Sequence, residues 1–466
     1  MRKTAWTIVM VAALVAALIV PTTAAGGAPG GGGGFFTQQP PQLVPLASGV
    51  QIKPLLSAGD IVGSYQATGT MDGLGLYRSS KSTIEVFANH ELEGSDPTWA
   101  RVSHLTLSNT GGVLSGSYPI DGTEGYEDFC SSTLAMVEGN PWYFLGEETL
   151  TAGKGRAIAL NATTGQHYEL PWLGRFEHEN VVPMTSLSRQ GVILQLTEDE
   201  EAGLSQEYLY RANTMADLLA GRGQLYVWAP DSTLDGDPSP NDIVKGQTIA
   251  GTFKPVPASA TADYGTLEAY AQSVNAFDFV RPEDGTEVPG QAGVFYMADT
   301  GTKNSEDFDG RIYRFDHNTR NPLKASLTVV LDSKVDSLRN PDNVGASSLG
   351  LMIQEDRNAD NIKANPPGQD NLGGYSRLGF YSFASGNLTW IARVNTPEKD
   401  AKSSGAGSWE SSGVVDASKF FGSGWWLLDV QAHTQSAPQP GFDLMPNTSS
   451  GEASQLLLVN LPGSTP

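Results

Sequence analysis

Leu378-Gly379-Phe380-Tyr381-Ser382-Phe383-Ala384-Ser385-Gly386-Asn387-Leu388-Thr389-Trp390-Ile391-Ala392-Arg393 reads as two short strands joined by a turn. Aromatic and aliphatic residues fill both arms, and Ser385-Gly386-Asn387 supplies the residue types that reverse a chain. The same sub-pattern recurs along the sequence. Residues 156–160, a turn over 161–165 and residues 167–170 form one copy, residues 310–316 another, and 207–211 and 455–460 partial ones. One hairpin of this kind cannot bury both of its faces, and radial stacking of many such units covers the faces and protects the edges. The expected fold is therefore all-β, a β-propeller with long inserted loops, six blades being the natural count for this length. A pair of sandwiches is the competing arrangement. Helix signals are confined to residues 214–220.

Working outward, residues 1–25 have the make-up of a signal peptide. Arg2 and Lys3 precede an apolar run over 8–20, and Thr23-Ala24-Ala25 offers a small-residue cleavage site. The apolar run is shorter than the ~20 residues that span a bilayer, so a secreted or periplasmic protein is expected rather than a membrane-anchored one. Residues 26–40 are Gly-rich and read as a flexible tether. No linker divides 41–466, which reads as one propeller domain. Its length exceeds the about 250–300 residues that an ordinary single core supports, which again favours a repeating architecture.

The chain carries 51 acidic and 29 basic residues, a net charge of −22. Without Arg2 and Lys3 the charge is −24, with 27 basic residues left. Such a surface repels nucleic acid and anionic membranes and suits carboxylate ligands for hard cations. A monomer acting on small molecules is expected.

Polar residues gather just after apolar strand runs: Asn89-His90-Glu91, Glu147-Glu148, residues 197–200, Asp299, Glu355-Asp356 and residues 429–433. In a propeller, equivalent strand ends converge on one mouth of the central channel. Carboxylates gathered there repel one another unless cations sit among them. The single cysteine, Cys130, follows Glu127-Asp128-Phe129. Without a partner it makes no internal disulfide. It is either a buried packing residue or a thiolate ligand, because a bound cation deprotonates sulfur where nearby carboxylates alone keep it protonated. Gly174-Arg175-Phe176-Glu177-His178-Glu179 sets an imidazole among carboxylates, and Asn340-Pro341-Asp342-Asn343 an Asp beside amides. Arg281-Pro282-Glu283-Asp284 pairs a carboxylate with the side chain whose fork fits an oxyanion. The further acidic stretches 231–242, 304–309 and 356–360 lack EF-hand spacing and read as solvated loops.

These segments, in order along nearly the whole chain, resemble the PhoX-type calcium- and iron-dependent alkaline phosphatases. The resemblance implies a six-bladed propeller with a ferric iron pair and calcium at the channel mouth. It implies Cys130 as an iron ligand, Glu91, Glu179 and Glu283 as metal-binding carboxylates with Asp199 and Asp342 beside them, and Arg281 as the phosphate contact. Asn89, Glu148, Glu355 and His433 from the strand-end pattern, Asp128 beside Cys130 and His178 in the 174–179 stretch are further candidates. Arg2-Lys3 departs from the twin arginine of many relatives, and Asp284 adds negative charge that is expected to weaken substrate binding. The expected function is an exported, metal-dependent phosphomonoesterase acting on phosphate esters. A propeller lactonase, phosphodiesterase or phytase, and a non-catalytic calcium-stabilised binding propeller, are the alternatives.

Overall fold

The computed structural model describes residues 33–92, 99–200, 205–232, 238–301, 310–356, 375–396, 409–433 and 452–461. Short antiparallel strands dominate, and the repeating hairpins seen in the sequence are built into larger four-stranded units. Blade 1 consists of Met71–Arg78, Thr83–His90, Arg101–Ser108 and Val113–Ile120. Blade 2 consists of Ser132–Val137, Asn140–Gly146, Ala157–Asn161 and His167–Glu169. Blade 3 consists of His178–Pro183, Val192–Glu198, Glu207–Ala212 and Gly223–Pro230. Blade 4 consists of Pro282–Glu287, Val294–Asp299, Arg311–Asn318 and Asn321–Asp332. Blade 5 consists of Pro341–Ala346, Gly350–Glu355, Arg377–Ser382 and Leu388–Val394, with Leu43–Pro45 added at its edge.

Blade 6 closes the circle. Its strands Trp409–Asp416, Trp425–His433 and Glu452–Asn460 come from the C-terminal end of the chain, and Gln51–Ser57 from near the N-terminus completes it by pairing with Glu452–Asn460. The first strand of each blade packs against the first strands of its two neighbours, all the way round. Counted by these inner strands among the described residues, the blades number six. Counted by continuous hydrogen bonding there are fewer large sheets, because Thr248–Pro255 pairs with both Gly223–Pro230 and Asn321–Asp332 and joins blades 3 and 4 edge to edge. Apolar side chains fill the spaces between blades, with Trp228, Trp409 and Trp426 among the largest that are fully buried.

Two expectations change. The helix expected at 214–220 is present as Met215–Leu219, with the Thr214 side chain capping it through the Asp217 N–H. The sequence reading missed the longer helix Tyr264–Ser273, capped by Asp263, and the turn of helix Ser418–Phe421. The first of these buries only Leu267 and Ala271, one turn apart, too narrow a stripe to show as periodicity. Part of the stretch expected as a flexible tether over 26–40 belongs to the fold. Phe35 exchanges both backbone hydrogen bonds with Val113, at 2.8 Å each, and Phe35 and Phe36 pack on the blade 1 core. The segment 1–25 read as a signal peptide, residues 26–32 of the expected tether, residues 233–237 of the stretch 231–242 and the acidic stretches 304–309 and 357–360 lie outside the described residues. Among the described residues no helix is long and apolar enough to cross a membrane.

Candidate metal centre

A local device repeats at one end of the channel. Where the inner strand enters each of blades 1 to 5, a backbone carbonyl accepts a hydrogen bond from the residue that leaves the second strand. The pairs are Glu91 N–H to Thr70 O at 3.0 Å, Glu148 to Asp128 at 2.9 Å, Asp199 to Glu177 at 3.1 Å, Thr300 to Arg281 at 2.9 Å and Asp356 to Asn340 at 3.0 Å. Two residues beyond each acceptor stand Asp72, Cys130, Glu179, Glu283 and Asp342. Each blade thus presents two residues side by side at the mouth. By register the sixth pair is Glu410 and His433, since Trp409 pairs with Ala432. The side chain of His433 itself lies outside the described residues.

The backbone is bent to make this fit. Among the described residues, four of the six non-glycine residues with a left-handed φ stand two positions before one of these side chains. They are Thr70 (44°), Asp128 (45°), Arg281 (60°) and Asn340 (39°). Left-handed φ is costly for such residues and is found where surrounding structure enforces it. Immediately afterwards, blades 1, 3, 4 and 5 each carry a β-bulge: Met71/Leu74, His178/Val181, Pro282/Gly285 and Pro341/Val344. A bulge re-aims the side chains that it contains. Each holds an acid followed by a small or polar residue, in Asp72-Gly73, Glu179-Asn180, Glu283-Asp284 and Asp342-Asn343.

The outcome is one connected cluster. Ligand atoms lie within 4.8 Å of one another in each of five overlapping groups: Asp72, Glu91 and Cys130; Cys130, Glu148 and Glu179; Glu148, Asp199 and Glu283; Glu179, Glu283 and Asp342; Asp342, Asp356 and Glu410. Cys130 Sγ is 2.7 Å from Glu148 Oε2. The donor set is carboxylate oxygen plus one thiol, which suits hard cations with one softer position. Two observations fit the set to cations. Glu179 Oε2 is buried with no hydrogen-bond partner, and both oxygens of fully buried Asp429, which repels Asp72, have none either. Burial first, and then neighbouring carboxylates, push the Cys130 thiol and the carboxyls of Asp72, Glu148 and Asp342 upward. Burial, partly offset by the Ser131 hydrogen bond, brings Glu179 to about 8. Protons or cations must neutralise such a ring.

Blade 4 is the exception, with neutral Thr300 where its neighbours present an acid. Arg281 stands beside this gap. Its guanidinium grips the fully buried Asp199, with Nη2 2.7 Å from Oδ2 and Nε 3.1 Å from both oxygens, and Nη2 is 3.0 Å from Glu283 Oε1. Burial acts against its charge, but Asp199 and Glu283 more than restore it, and its pKa is raised. The side chain keeps 18% of its surface exposed.

Glu91, Cys130, Glu179, Glu283, Asp199, Asp342 and Glu148 are therefore brought together, with Arg281 at their edge. Other candidates serve elsewhere. Asn89 donates to the Cys130 carbonyl at 2.8 Å and accepts from Tyr143 Oη at 2.9 Å, so it holds the cysteine backbone. Asp128 supplies the carbonyl for Glu148 and lies outside the close groups. His178 turns away: its ring lies tilted against Phe176, its Nε2 is 3.2 Å from Gly174 O, and burial lowers its pKa to about 3. Glu355 is taken up by Arg377 on its own blade, with Nε 2.6 Å from Oε2. Side chains alternate along a strand, so Asp356, which the sequence placed both at a strand end and at the start of a solvated loop, faces the cluster. Glu147 and Glu148 divide in the same way, Glu147 going to Arg156. Asp284 is likewise turned from the mouth and does not face Arg281; its carboxylate accepts three donors deeper in the channel. Sequence reasoning missed Asp72 and Glu410, while Asp429 stood in the strand-end stretch 429–433 without being singled out as a ligand. An acid one residue inside a strand, before Gly or Asn, was the available signal for Asp72.

Comparison with known proteins agrees with this geometry at the level of family. No curated protein matches the chain. Among solved structures, the chain is similar to the Pseudomonas aeruginosa periplasmic gluconolactonase PpgL, at 13% identity over 84% of this chain and 88% of that one, with a TM-score of 0.38. It is similar to Trypanosoma rangeli sialidase in complex with the inhibitor DANA, at 9% identity over 90% of this chain and 60% of that one, with a TM-score of 0.40. The catalytic domain of Coprinopsis cinerea GH62 α-L-arabinofuranosidase follows at 8% identity, 88% and 98% coverage and a TM-score of 0.36. Likenesses this distant carry no argument about chemistry. The family model described as alkaline phosphatase PhoX matches residues 160–413, which hold Glu179, Asp199, Arg281, Glu283, Asp342 and Glu410. That match takes in more than half of the sequence, and the chain belongs to the PhoX alkaline phosphatase family.

Proposed function

We propose that this protein is an exported phosphomonoesterase whose ring of carboxylates and one thiolate holds a ferric iron pair and calcium. The observation that carries the reading is the unbroken run of close ligand groups from Asp72 to Glu410 through Cys130, with Arg281 at its edge. Cys130, Glu148, Glu179 and Glu91 would hold the iron, and Glu283, Asp342, Asp356 and Glu410 the calcium. When bound, such ions polarise phosphoryl oxygens and provide a nucleophile at ordinary pH.

The chain's own residues do the rest. Arg281 reaches the anionic phosphoryl group at blade 4, where neutral Thr300 stands between the second-strand acids of blades 3 and 5, and its positive charge offsets the repulsive field of a chain at −22. Asp199 and Glu283 hold the guanidinium in place before substrate arrives, so little side-chain freedom is lost on binding. Asn89 and Tyr143 fix the backbone of Cys130. The substrates are small phosphate esters, the protein is a monomer that binds neither nucleic acid nor membrane, and residues 1–25 direct it out of the cytoplasm.

The bidentate grip of Arg281 on Asp199 also favours a second reading, in which Arg281 only braces a calcium-stabilised binding propeller. Purified protein supplied with iron and calcium separates the two. Hydrolysis of an aryl phosphate monoester, competitively inhibited by inorganic phosphate, is the expected result. No turnover of the ester by fully loaded protein contradicts the phosphatase reading and favours the second. Turnover of a lactone or a phosphodiester in its place contradicts both.

A further inference from the structure

The residue after the inner-strand acid of blades 3, 4 and 5 turns the other way, into the channel beneath the ring. In blades 3, 4 and 5 these residues are Asn180, Asp284 and Asn343, all buried. The acids just before them, Glu179, Glu283 and Asp342, form one of the close ligand groups. Asp284 ties the three together. Its Oδ1 accepts from Asn180 Nδ2 in the blade 3 bulge and from the Gly285 N–H of its own bulge at 2.6 Å, and its Oδ2 accepts from the Val344 N–H of blade 5 at 3.0 Å. Gly285 and Val344 are the residues at which regular pairing resumes after their bulges. The web then spreads to blades 2 and 6. Asn180 Oδ1 accepts from Thr133 Oγ1 at 3.2 Å, while Asn343 accepts from Ser412 Oγ and donates to Ser131 Oγ, both at 2.9 Å.

We propose that Asp284 is a positioning residue: its one carboxylate registers the three bulges so that Glu179, Glu283 and Asp342 converge on a common metal ion. The assignment rests on reading the ring as a metal centre. The chemistry requires a carboxylate here, because three donors converge on two oxygens and an amide offers only one acceptor atom. An amide would also point donors at Val344 or Asn180. Partners behind metal ligands fix ligand orientation and tune affinity. The competing role is an ordinary buried polar residue lining the cavity of about 200 Å³ that opens farther down the channel.

Full-length wild type, Asp284→Asn and Asn180→Ala are loaded with iron and calcium and dialysed against graded chelator. Bound metal per folded chain and the melting temperatures of loaded and stripped protein are then measured. Asp284→Asn is expected to release metal at about 10- to 100-fold lower chelator strength than wild type. Asn180→Ala, which removes one of the three bonds, is expected to shift in the same direction by less. Loss of melting temperature should be larger in loaded than in stripped protein. Equal loss in both states with unchanged metal retention is the signature of plain structural support and overturns the proposal. If Asp284→Asn does not fold, wild-type retention in Asn180→Ala overturns it alone. A wild type that takes up no metal contradicts the metal centre itself and this assignment with it; tight wild type with equally tight variants contradicts the assignment only.

Discussion

Complete removal of metal by a chelator is expected to abolish phosphatase activity and to lower the melting temperature, both reversed by adding iron and calcium. The reason is electrostatic. Five overlapping groups of ligand atoms within 4.8 Å leave no room for ionised carboxylates without cations between them. A site held at a hundred times its Kd contributes about 2.7 kcal/mol to stability, and several sites contribute more. Stripped protein should also acquire a characteristic pH dependence. Burial and neighbouring carboxylates raise the folded-state values of Asp72, Glu148, Glu283 and Asp342, and burial takes Glu179 from 4.5 to about 8. A raised folded-state pKa means that the folded chain binds more protons than the unfolded one. Stability from these groups is then complete below the ordinary carboxylate range and falls as pH climbs through the folded-state values. Stripped protein should accordingly melt at progressively lower temperature from about pH 4.5 to about pH 8, while loaded protein, whose ligands have exchanged protons for cations, should not. Melting curves unaffected by chelation across that range would falsify the cage.

Replacing Arg281 by lysine is expected to lower kcat/KM on an aryl phosphate by roughly 10²-fold, about 2.7 kcal/mol of transition-state stabilisation. Lysine keeps the charge but loses the planar fork by which Asp199 holds the cation in one orientation toward an oxyanion. Inhibition by inorganic phosphate should weaken in parallel. Because Arg281 also touches Glu283, some loss of stability is expected, but it should be small beside the kinetic effect. The pattern that counts against a substrate contact is the reverse: a large fall in melting temperature and normal kinetics in the folded fraction.

Much of this centre was legible before the fold was known, and the reason lies in the repeat. Each blade places its ligands at the same two strand ends, so acids following apolar runs mark half of the ring: Glu91, Glu148 and Asp199 each sit three residues past such a run and one or two past the end of its strand. Cys130 and Arg281 stood out by residue type. What was obscure is which member of an acidic pair faces the mouth. Glu147 and Glu148, or Glu355 and Asp356, look alike in sequence, and only the pleat decides that Arg156 and Arg377 take the first of each. The inner-strand acids are harder still, because a bulge breaks the alternation on which strand reading depends. Asp72 was passed over and Asp284 misread for that reason: Asp284 looked like added charge beside the substrate when the bulge in fact turns it beneath the ring. The helix Tyr264–Ser273 escaped because it buries only two side chains.

The central claim is that Cys130 and the carboxylates around it form a metal centre and not a packed, protonated core. Elemental analysis of purified wild-type protein, set beside folded Cys130→Ser, tests it most directly. The account predicts iron and calcium bound in stoichiometric amounts in wild type, with iron lost and calcium largely kept in the serine variant, because a hydroxyl replaces the thiolate while Glu283, Asp342, Asp356 and Glu410 remain. Wild-type protein without bound metal, or a serine variant with undiminished iron, would contradict it.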